Sequence, residues 1–232
     1  MKKLMITAAA LAACIGLQAD IESVNVVGYE NTAMRKGSSL YTPMFAQIGE
    51  AKMNIQKLIP QGDNVPEDGS IVLQTLNAAG MRGDVLLSWW GDGWYDVNDD
   101  TPDTFLDAGD AAWIAFPDAT VSLNCAGEVK NEVVLSPLVK GSVAIGNPYP
   151  VAVDIQTVLP VASEGEVPED GSIVIQTLDP VGMRGDVLLS WWGDGWYDVN
   201  DETPVTELDP GEGIWVASPA DTISLKWPGF TL

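Results

Sequence analysis

The chain carries a long internal repeat. Residues 65–127 align with residues 167–229 at a constant offset of 102, and 44 of the 63 aligned positions are identical. Residues 80–99 and 182–201 match at all 20 positions. Because a fold that buries the apolar residues of one copy also buries those of the other, the repeat predicts two copies of one folding unit.

Each copy has the pattern of short β-strands. Gly and Pro interrupt the sequence at short intervals, and the runs between them have strand length. In the second copy this pattern predicts strands over 172–178, 186–192, 195–199, 213–217 and 222–227. One segment per copy, 52–59 and 153–159, has helical character but is short.

The predicted fold class is therefore all-β. We expect two tandem homologous repeats, each a β-sandwich or barrel-like unit with one short helical turn. The predicted boundaries are a signal peptide over 1–19, a first β-repeat over 20–127 and a second β-repeat over 128–232.

The N-terminus has the pattern of a secretory signal. Two lysines precede an apolar run over 4–17, and Ala19 stands before the polar Asp20. Cleavage after Ala19 predicts an exported chain that is periplasmic, displayed on the cell surface or secreted. The alternative is Leu11-Ala12-Ala13-Cys14, which resembles the lipobox of bacterial lipoproteins and would place a lipid on Cys14. No stretch reaches the length of a membrane span.

The charge excludes several classes of function. The chain has 33 acidic residues, 11 basic residues and no histidine, for a formal net charge of −22. Removal of residues 1–19, which hold two of the lysines, changes this charge to −24. Nucleic acid is not an expected partner, because neutralising phosphates requires clustered Lys and Arg. Without histidine, Ser-His-Asp triads, Cys-His dyads and histidine-ligated zinc are excluded.

A lone cysteine remains after the predicted cleavage. Cys125 then has no intramolecular disulfide partner, so we expect the fold to be stabilised by packing alone. It ends the strand-like run Val121-Ser122-Leu123-Asn124-Cys125, where a cysteine is typically a small buried hydrophobic residue.

Two motifs of the second copy resemble those of a known family. Residues 140–150, Lys-Gly-Ser-Val-Ala-Ile-Gly-Asn-Pro-Tyr-Pro, resemble the G-x-N-L-I-x-N-P opening of exported bacterial tandem-repeat β-proteins. Residues 208–216, Leu-Asp-Pro-Gly-Glu-Gly-Ile-Trp-Val, resemble that family's closing L-x-P-G-E-G-x-W-V. The resemblance implies an extracytoplasmic all-β module, in a family whose function is mostly unknown. It supplies no catalytic residues.

A Trp-rich hairpin occurs once in each copy. Residues 89–96 read Trp-Trp-Gly-Asp-Gly-Trp-Tyr-Asp and recur at 191–198. The Asp-Gly pair predicts a tight turn, with Trp90 opposite Tyr95 or opposite Trp94 according to loop length. Because side chains alternate along a strand, at least one Trp per hairpin is a candidate for exposure.

Exposed flat rings stack on sugars, which gives a binding hypothesis. The candidate ligand-binding residues are Trp90, Trp94, Tyr95, Trp192, Trp196 and Tyr197. The alternatives are burial of these rings in the core and docking of a protein partner, since Trp is enriched at interface hot spots.

An acidic segment follows each hairpin. Oxygen ligands at alternate positions are typical of calcium loops. The candidate metal ligands are Asp96, Asn98, Asp100, Asp198, Asn200 and Glu202. The glycine expected at the sixth position is replaced by Thr101 and Thr203, so we favour a solvated acidic turn. Calcium is the one cofactor that the sequence suggests.

The sequence favours a non-catalytic protein. We expect a structural or adhesive role at the cell envelope or outside the cell. The alternative is a carbohydrate-binding protein that uses the Trp hairpins. A glycan-active enzyme is the third hypothesis, because carboxylates abound but no spacing selects a catalytic pair. The expected partners are a neutral glycan or a cell-surface protein, and the oligomeric state is left open.

Overall fold

A computed structural model describes residues 27–34, 36–76, 82–117, 121–178, 184–200 and 202–231. The predicted signal peptide, the cleavage site before Asp20 and the alternative lipidation site at Cys14 lie outside these residues. Within them the fold consists of antiparallel β-sheets and two short 3-10 helices, which confirms the all-β prediction. The 3-10 helices, Ile55–Lys57 and Ile155–Thr157, fall inside the two segments predicted to be helical.

The strands divide between a first half, residues 27–129, and a second half, residues 134–231. The first half contributes β1 (Val27–Ala33), β2 (Gly37–Tyr41), β3 (Phe45–Ala46), β4 (Met53–Asn54), β5 (Ile59–Gln61), β6 (Val72–Leu76), β7 (Arg82–Trp89), β8 (Trp94–Tyr95), β9 (Phe105–Leu106), β10 (Ala112–Phe116) and β11 (Ser122–Val129). The second half contributes β12 (Val134–Pro137), β13 (Gly141–Gly146), β14 (Val153–Asp154), β15 (Leu159–Ala162), β16 (Val174–Leu178), β17 (Arg184–Trp191), β18 (Trp196–Tyr197), β19 (Glu207–Leu208), β20 (Gly213–Ser218) and β21 (Ile223–Trp227).

The sheets of the two halves have matching strand orders. The first half has a five-stranded sheet, β2-β10-β6-β7-β8, and a second sheet in which β11 pairs with β1, β3 and β5. The second half has the order β13-β20-β16-β17-β18, and a three-stranded sheet in which β21 pairs with β12 and β15. Each half adds a two-stranded ribbon, β4-β9 or β14-β19.

Each half has its own cluster of buried hydrophobic residues, to which strands of both of its larger sheets contribute. In β10, Ile114 and Phe116 are buried and alternate with more exposed neighbours, because successive side chains of a strand point to opposite faces. Leu123 and Cys125 of β11 belong to the same core. Cys125 is a buried free thiol, as predicted. The second half has a core of its own, in which the fully buried Trp227 stands at the position of Cys125.

The two halves meet through a reciprocal pair of backbone contacts. Tyr41, at the end of β2, forms an isolated antiparallel bridge with Glu212, and Ile145 of β13 forms the same bridge with Asp110. Tyr41 and Ile145 occupy equivalent positions of the repeat, as do Asp110 and Glu212. The contact is therefore isologous: each half presents the same surface to the other, as in a two-fold dimer.

Side chains complete this contact. The Trp113 and Trp215 rings, which are equivalent in the repeat, lie with centroids 6.3 Å apart. Leu40 packs so closely on Gly213 that a Cβ added to Gly213 would lie 2.6 Å from the Leu40 Cβ. The absence of a side chain at Gly213 is what allows this approach.

Candidate functional site

The hairpin has a different register from the one predicted. Trp89 pairs with Trp94 and Ser88 pairs with Tyr95, so the loop contains the four residues 90–93. The prediction that placed Trp90 opposite Trp94 or Tyr95 is wrong. Gly91 has a φ of +95°, a conformation that glycine adopts freely, and the Trp90 N–H donates to the Gly93 carbonyl at 3.1 Å within the loop. The second hairpin has the same register.

The register places Trp94 and Trp196 in the core. Both rings have no exposed surface. The Trp94 indole N–H donates to the Leu58 carbonyl at 2.6 Å, and the Trp196 indole N–H donates to the Val158 carbonyl at 2.7 Å. Gln56 ties the 3-10 helix to the hairpin, since its amide both donates to the Trp94 carbonyl and accepts from the Trp94 N–H. Trp94 and Trp196 are therefore core residues in this fold, which corrects their place among the ligand-binding candidates.

Trp90 and Trp192 remain accessible, with 50% of each side chain exposed. Each ring lies against a glycine: a Cβ added to Gly69 or Gly171 would be 2.7 Å from the nearest ring atom. Both glycines have a positive φ. The indoles are thus supported on one side by backbone and open to solvent elsewhere. Such a ring loses little conformational freedom when a flat partner stacks on it.

Tyr95 and Tyr197 are half-buried beside the loops. The Tyr95 hydroxyl donates to the Asp92 carboxylate at 3.2 Å, and Tyr197 makes the same bond to Asp194. The bond to Asp92 raises the pKa of Tyr95, because the carboxylate stabilises the protonated phenol. The accessible predicted residues are therefore one Trp and one Tyr per hairpin.

The acidic segment forms a turn closed by its own first residue. One Asp96 carboxylate oxygen accepts the backbone N–H of Asn98 at 2.8 Å and that of Asp100 at 3.0 Å. These bonds lower the pKa of Asp96. Asp198 makes the equivalent bonds to the backbone N–H groups of Asn200 and Glu202. The described residues include no group of three or more acidic or cysteine side chains placed to hold a metal ion. Calcium binding stays a prediction.

A buried polar network in the first half was not anticipated from the sequence. The Glu30 carboxylate accepts the Tyr41 hydroxyl at 3.0 Å and the Cys125 thiol at 3.1 Å, and it also accepts the Thr32 hydroxyl. Burial raises the pKa of Glu30 and also those of Tyr41 and Cys125. A thiol with a raised pKa is a poor nucleophile. Only 4% of Glu30 is exposed, so the network is part of the core.

No sequence pattern could have revealed this network. Glu30 lies in β1. The odd-numbered residues of this strand are exposed, and its other even-numbered residues are partly buried. Its partner Cys125 is 95 residues away in the chain. In the sequence, Glu30 is one of 33 acidic residues.

Comparison with known proteins adds no relative. No family model, no curated protein and no solved structure matches the chain. The resemblance to exported tandem-repeat β-proteins stays a prediction. Among the described residues, no helix has the length and apolar composition required to cross a bilayer.

Proposed function

We propose that the chain is an exported, non-catalytic adhesive protein that binds a neutral glycan through one exposed tryptophan on each of two tandem β-sandwich repeats. The observation that carries the proposal is the state of Trp90 and Trp192. Each ring is half-exposed, lies on a glycine and occurs at the same place in both halves. Flat apolar rings in fixed positions suit the C–H faces of sugar rings.

The matching strand orders support the two-repeat architecture. Equivalent strands have the same neighbours in both five-stranded sheets, and each half has its own core. The isologous contact through Tyr41 and Ile145 supports a fixed relation between the two binding faces. Two weak sites held in a fixed relation give avidity toward a repeating polymer when their separation fits its period.

The charge of the chain supports a neutral ligand. A net charge of −22 repels nucleic acids and anionic polysaccharides, whereas a neutral glycan experiences no such repulsion. The loops themselves carry acid, since Glu67 lies so close to Gly91 that an added Cβ would be 2.7 Å from its carboxyl carbon. A protein surface is the second candidate ligand, because exposed Trp residues are also frequent in protein interfaces.

The state of the carboxylates supports a role without catalysis. A general acid needs a pKa near the working pH. Asp96, next to the hairpin, has a lowered pKa because it accepts backbone N–H groups. Glu30 has a raised pKa but is enclosed in the core. Neither of these two carboxylates suits acid catalysis on a bound glycan. Burial also raises the pKa of Asp110, but Asp110 lies at the contact between the two halves and not in a Trp hairpin. A glycan-active enzyme remains the third hypothesis.

The proposal is tested with the exported chain and soluble starch, mannan, dextran and β-1,3-glucan in affinity electrophoresis. We expect at least one polysaccharide to retard the protein. Trp90→Ala and Trp192→Ala should each weaken retardation, and the double variant should abolish it. Val97→Ala and Val199→Ala are matched controls, because these side chains are at least 81% exposed and lie near the same hairpins. Unchanged retardation of the double Trp variant would overturn the proposal, as would the absence of retardation by all four polymers.

A further inference from the structure

The first half ends one of its sheets on a long, open strand. β1 pairs with β11 over all seven of its residues, and no other described strand pairs with it. Among the described strands that stand at the end of a sheet, β1 is the longest. Its odd-numbered residues, Val27, Tyr29, Asn31 and Ala33, are all exposed. A long, exposed edge strand is a template on which another strand can pair.

The open side of β1 carries backbone groups that its own sheet does not use. The Met34 N–H, one residue beyond the strand, donates to the Val121 carbonyl and continues the ladder between β1 and β11. Residues of an antiparallel strand direct their N–H and C=O groups to alternate sides. The even-numbered residues of β1 therefore bond to β11, and the N–H and C=O groups of the odd-numbered residues point away from it.

The equivalent strand of the second half is poorly suited to pairing. β12 has four residues, and its Pro137 is equivalent to Ala33 of β1, since their register partners are Ser224 and Ser122. Proline has no N–H to offer at the outer side, and this placement protects edge strands in natural sheets. Of the two equivalent strands, only β1 presents an open edge.

The surface around β1 carries little acid, which bears on the kind of partner. The exposed side chains of β1 are uncharged, and Lys57 is the one charged residue among those that line the groove beside Tyr29. Glu128, opposite Val27 in the register, accepts the Gly49 N–H. Two chains of net charge −22 repel each other unless they meet where carboxylates are sparse. This surface meets that condition for a second copy of the chain.

We propose that two copies of the chain dimerise by antiparallel pairing of β1 with β1 about a two-fold axis. An axis through Glu30 would place two inward carboxylates opposite each other, which is unfavourable. An axis through Tyr29 places the two Tyr29 rings opposite each other and each Val27 opposite an Asn31. This register pairs the outward N–H and C=O groups and merges two four-stranded sheets into one.

The test measures the mass of the full exported chain by analytical ultracentrifugation, from micromolar to millimolar concentration. We expect a monomer–dimer equilibrium whose dissociation constant falls as NaCl is added, because salt screens the repulsion between two acidic copies. Tyr29→Glu should raise the dissociation constant at least tenfold, since it places like charges opposite each other on the axis.

The second half supplies a matched control. Val133 is equivalent to Tyr29 in the repeat, and the two side chains are 52% and 65% exposed. Val133→Glu adds the same negative charge to each copy and should leave the dissociation constant nearly unchanged. The double variant Trp90→Ala, Trp192→Ala should dimerise like the native chain, because the Trp hairpins lie in other sheets. The proposal is therefore independent of glycan binding.

A cysteine variant locates the axis. Residues opposite each other in an antiparallel ladder have Cα atoms about 4.5–5.5 Å apart, which a disulfide can span. Tyr29→Cys should therefore form an interchain disulfide on oxidation, whereas Val133→Cys should not. The native Cys125 is buried and takes no part.

Any of three results would overturn the proposal. One is a monomer at every protein and salt concentration, which would mean that no second copy uses the edge of β1. Another is a dimer that Tyr29→Glu and Val133→Glu weaken equally. The last is a dimer in which Tyr29→Cys forms no interchain disulfide. Loss of glycan retardation, or its absence, changes none of these readouts.

Discussion

Truncation of Trp94 should destabilise the first half far more than truncation of its near neighbour Trp90. Trp94 has no exposed surface, its ring centroid lies 5.6 Å from that of Trp89, and its indole N–H donates to the Leu58 carbonyl. Trp90 is half-exposed and rests on Gly69. The two side chains are only four positions apart, so the comparison isolates burial.

The structure sets the size of the effect. Replacing a buried Trp by Ala costs about 3–5 kcal/mol. Removing the indole N–H also leaves the Leu58 carbonyl unpaired in the core, at about 1–3 kcal/mol. Trp94→Ala should therefore cost about 4–8 kcal/mol, a large share of the roughly 5–15 kcal/mol that stabilises a typical domain. Trp90→Ala should cost at most about 2 kcal/mol, since only half of its surface is withdrawn from water.

The assay is urea unfolding followed by far-UV circular dichroism, with the signal of each variant normalised to its own folded and unfolded baselines. Trp94→Phe should have an intermediate midpoint, because it retains an apolar ring and loses the hydrogen bond. Trp196→Ala and Trp192→Ala repeat the comparison in the second half. Equal destabilisation by Trp94→Ala and Trp90→Ala, within about 0.5 kcal/mol, would refute the register that places Trp94 inside.

Four further predictions concern the core, the contact between the halves, the acidic turns and the N-terminus. Burial raises the pKa of Glu30 above its usual 4.5, so its contribution to stability is complete below pH 4.5 and is lost as the pH rises through the raised pKa. Glu30→Gln should therefore raise the urea midpoint at pH 7 and leave it unchanged at pH 4; a lower midpoint at pH 7 would contradict this. Gly213→Ala should split unfolding into two calorimetric transitions, because the added methyl would lie 2.6 Å from the Leu40 Cβ, and a single unshifted transition would show that the halves are not tightly packed there. Calcium at equal ionic strength should raise the melting temperature no more than NaCl does, because Asp96 and Asp198 already accept backbone N–H groups; a clearly larger rise with calcium would restore the metal hypothesis. Mass spectrometry of the exported protein should find Asp20 at the N-terminus, and a diacylated peptide beginning at Cys14 would contradict release.

The sequence alone determined the local features of the fold. The Gly and Pro positions of the second copy predicted its strands, and the observed β16, β20 and β21 lie close to those predictions. The short helical segments are also local. Asn54 and Asp154 each accept the N–H two residues ahead and so cap the 3-10 turn from within the segment, and the Leu58 and Val158 N–H groups close it on the Ile55 and Ile155 carbonyls. Such features depend on backbone preferences and neighbouring side chains, which a sequence displays directly.

The tertiary structure decided which side chains became core. Trp89 and Trp90 are adjacent and identical in type, so an alternating pattern cannot say which of them faces inward. The four-residue loop decided it, by pairing Trp89 with Trp94 and leaving Trp90 outside. A change of one residue in register would exchange the two faces, and the sequence around Asp92-Gly93 is compatible with several loop lengths.

The unpaired amide of Asn124 and the buried carboxylate of Glu30 could be found only in three dimensions. Asn124 ends up beside Ile59, and Glu30 beside Cys125, through pairings that β11 makes with strands distant in the chain. Comparison of the two copies does not reveal the Asn124 amide, because the second half has Lys226 at the equivalent position. Burial and hydrogen bonding are properties of the assembled sheet. A polar residue in a strand can be solvated, paired or left unpaired, and only the residues packed around it determine which.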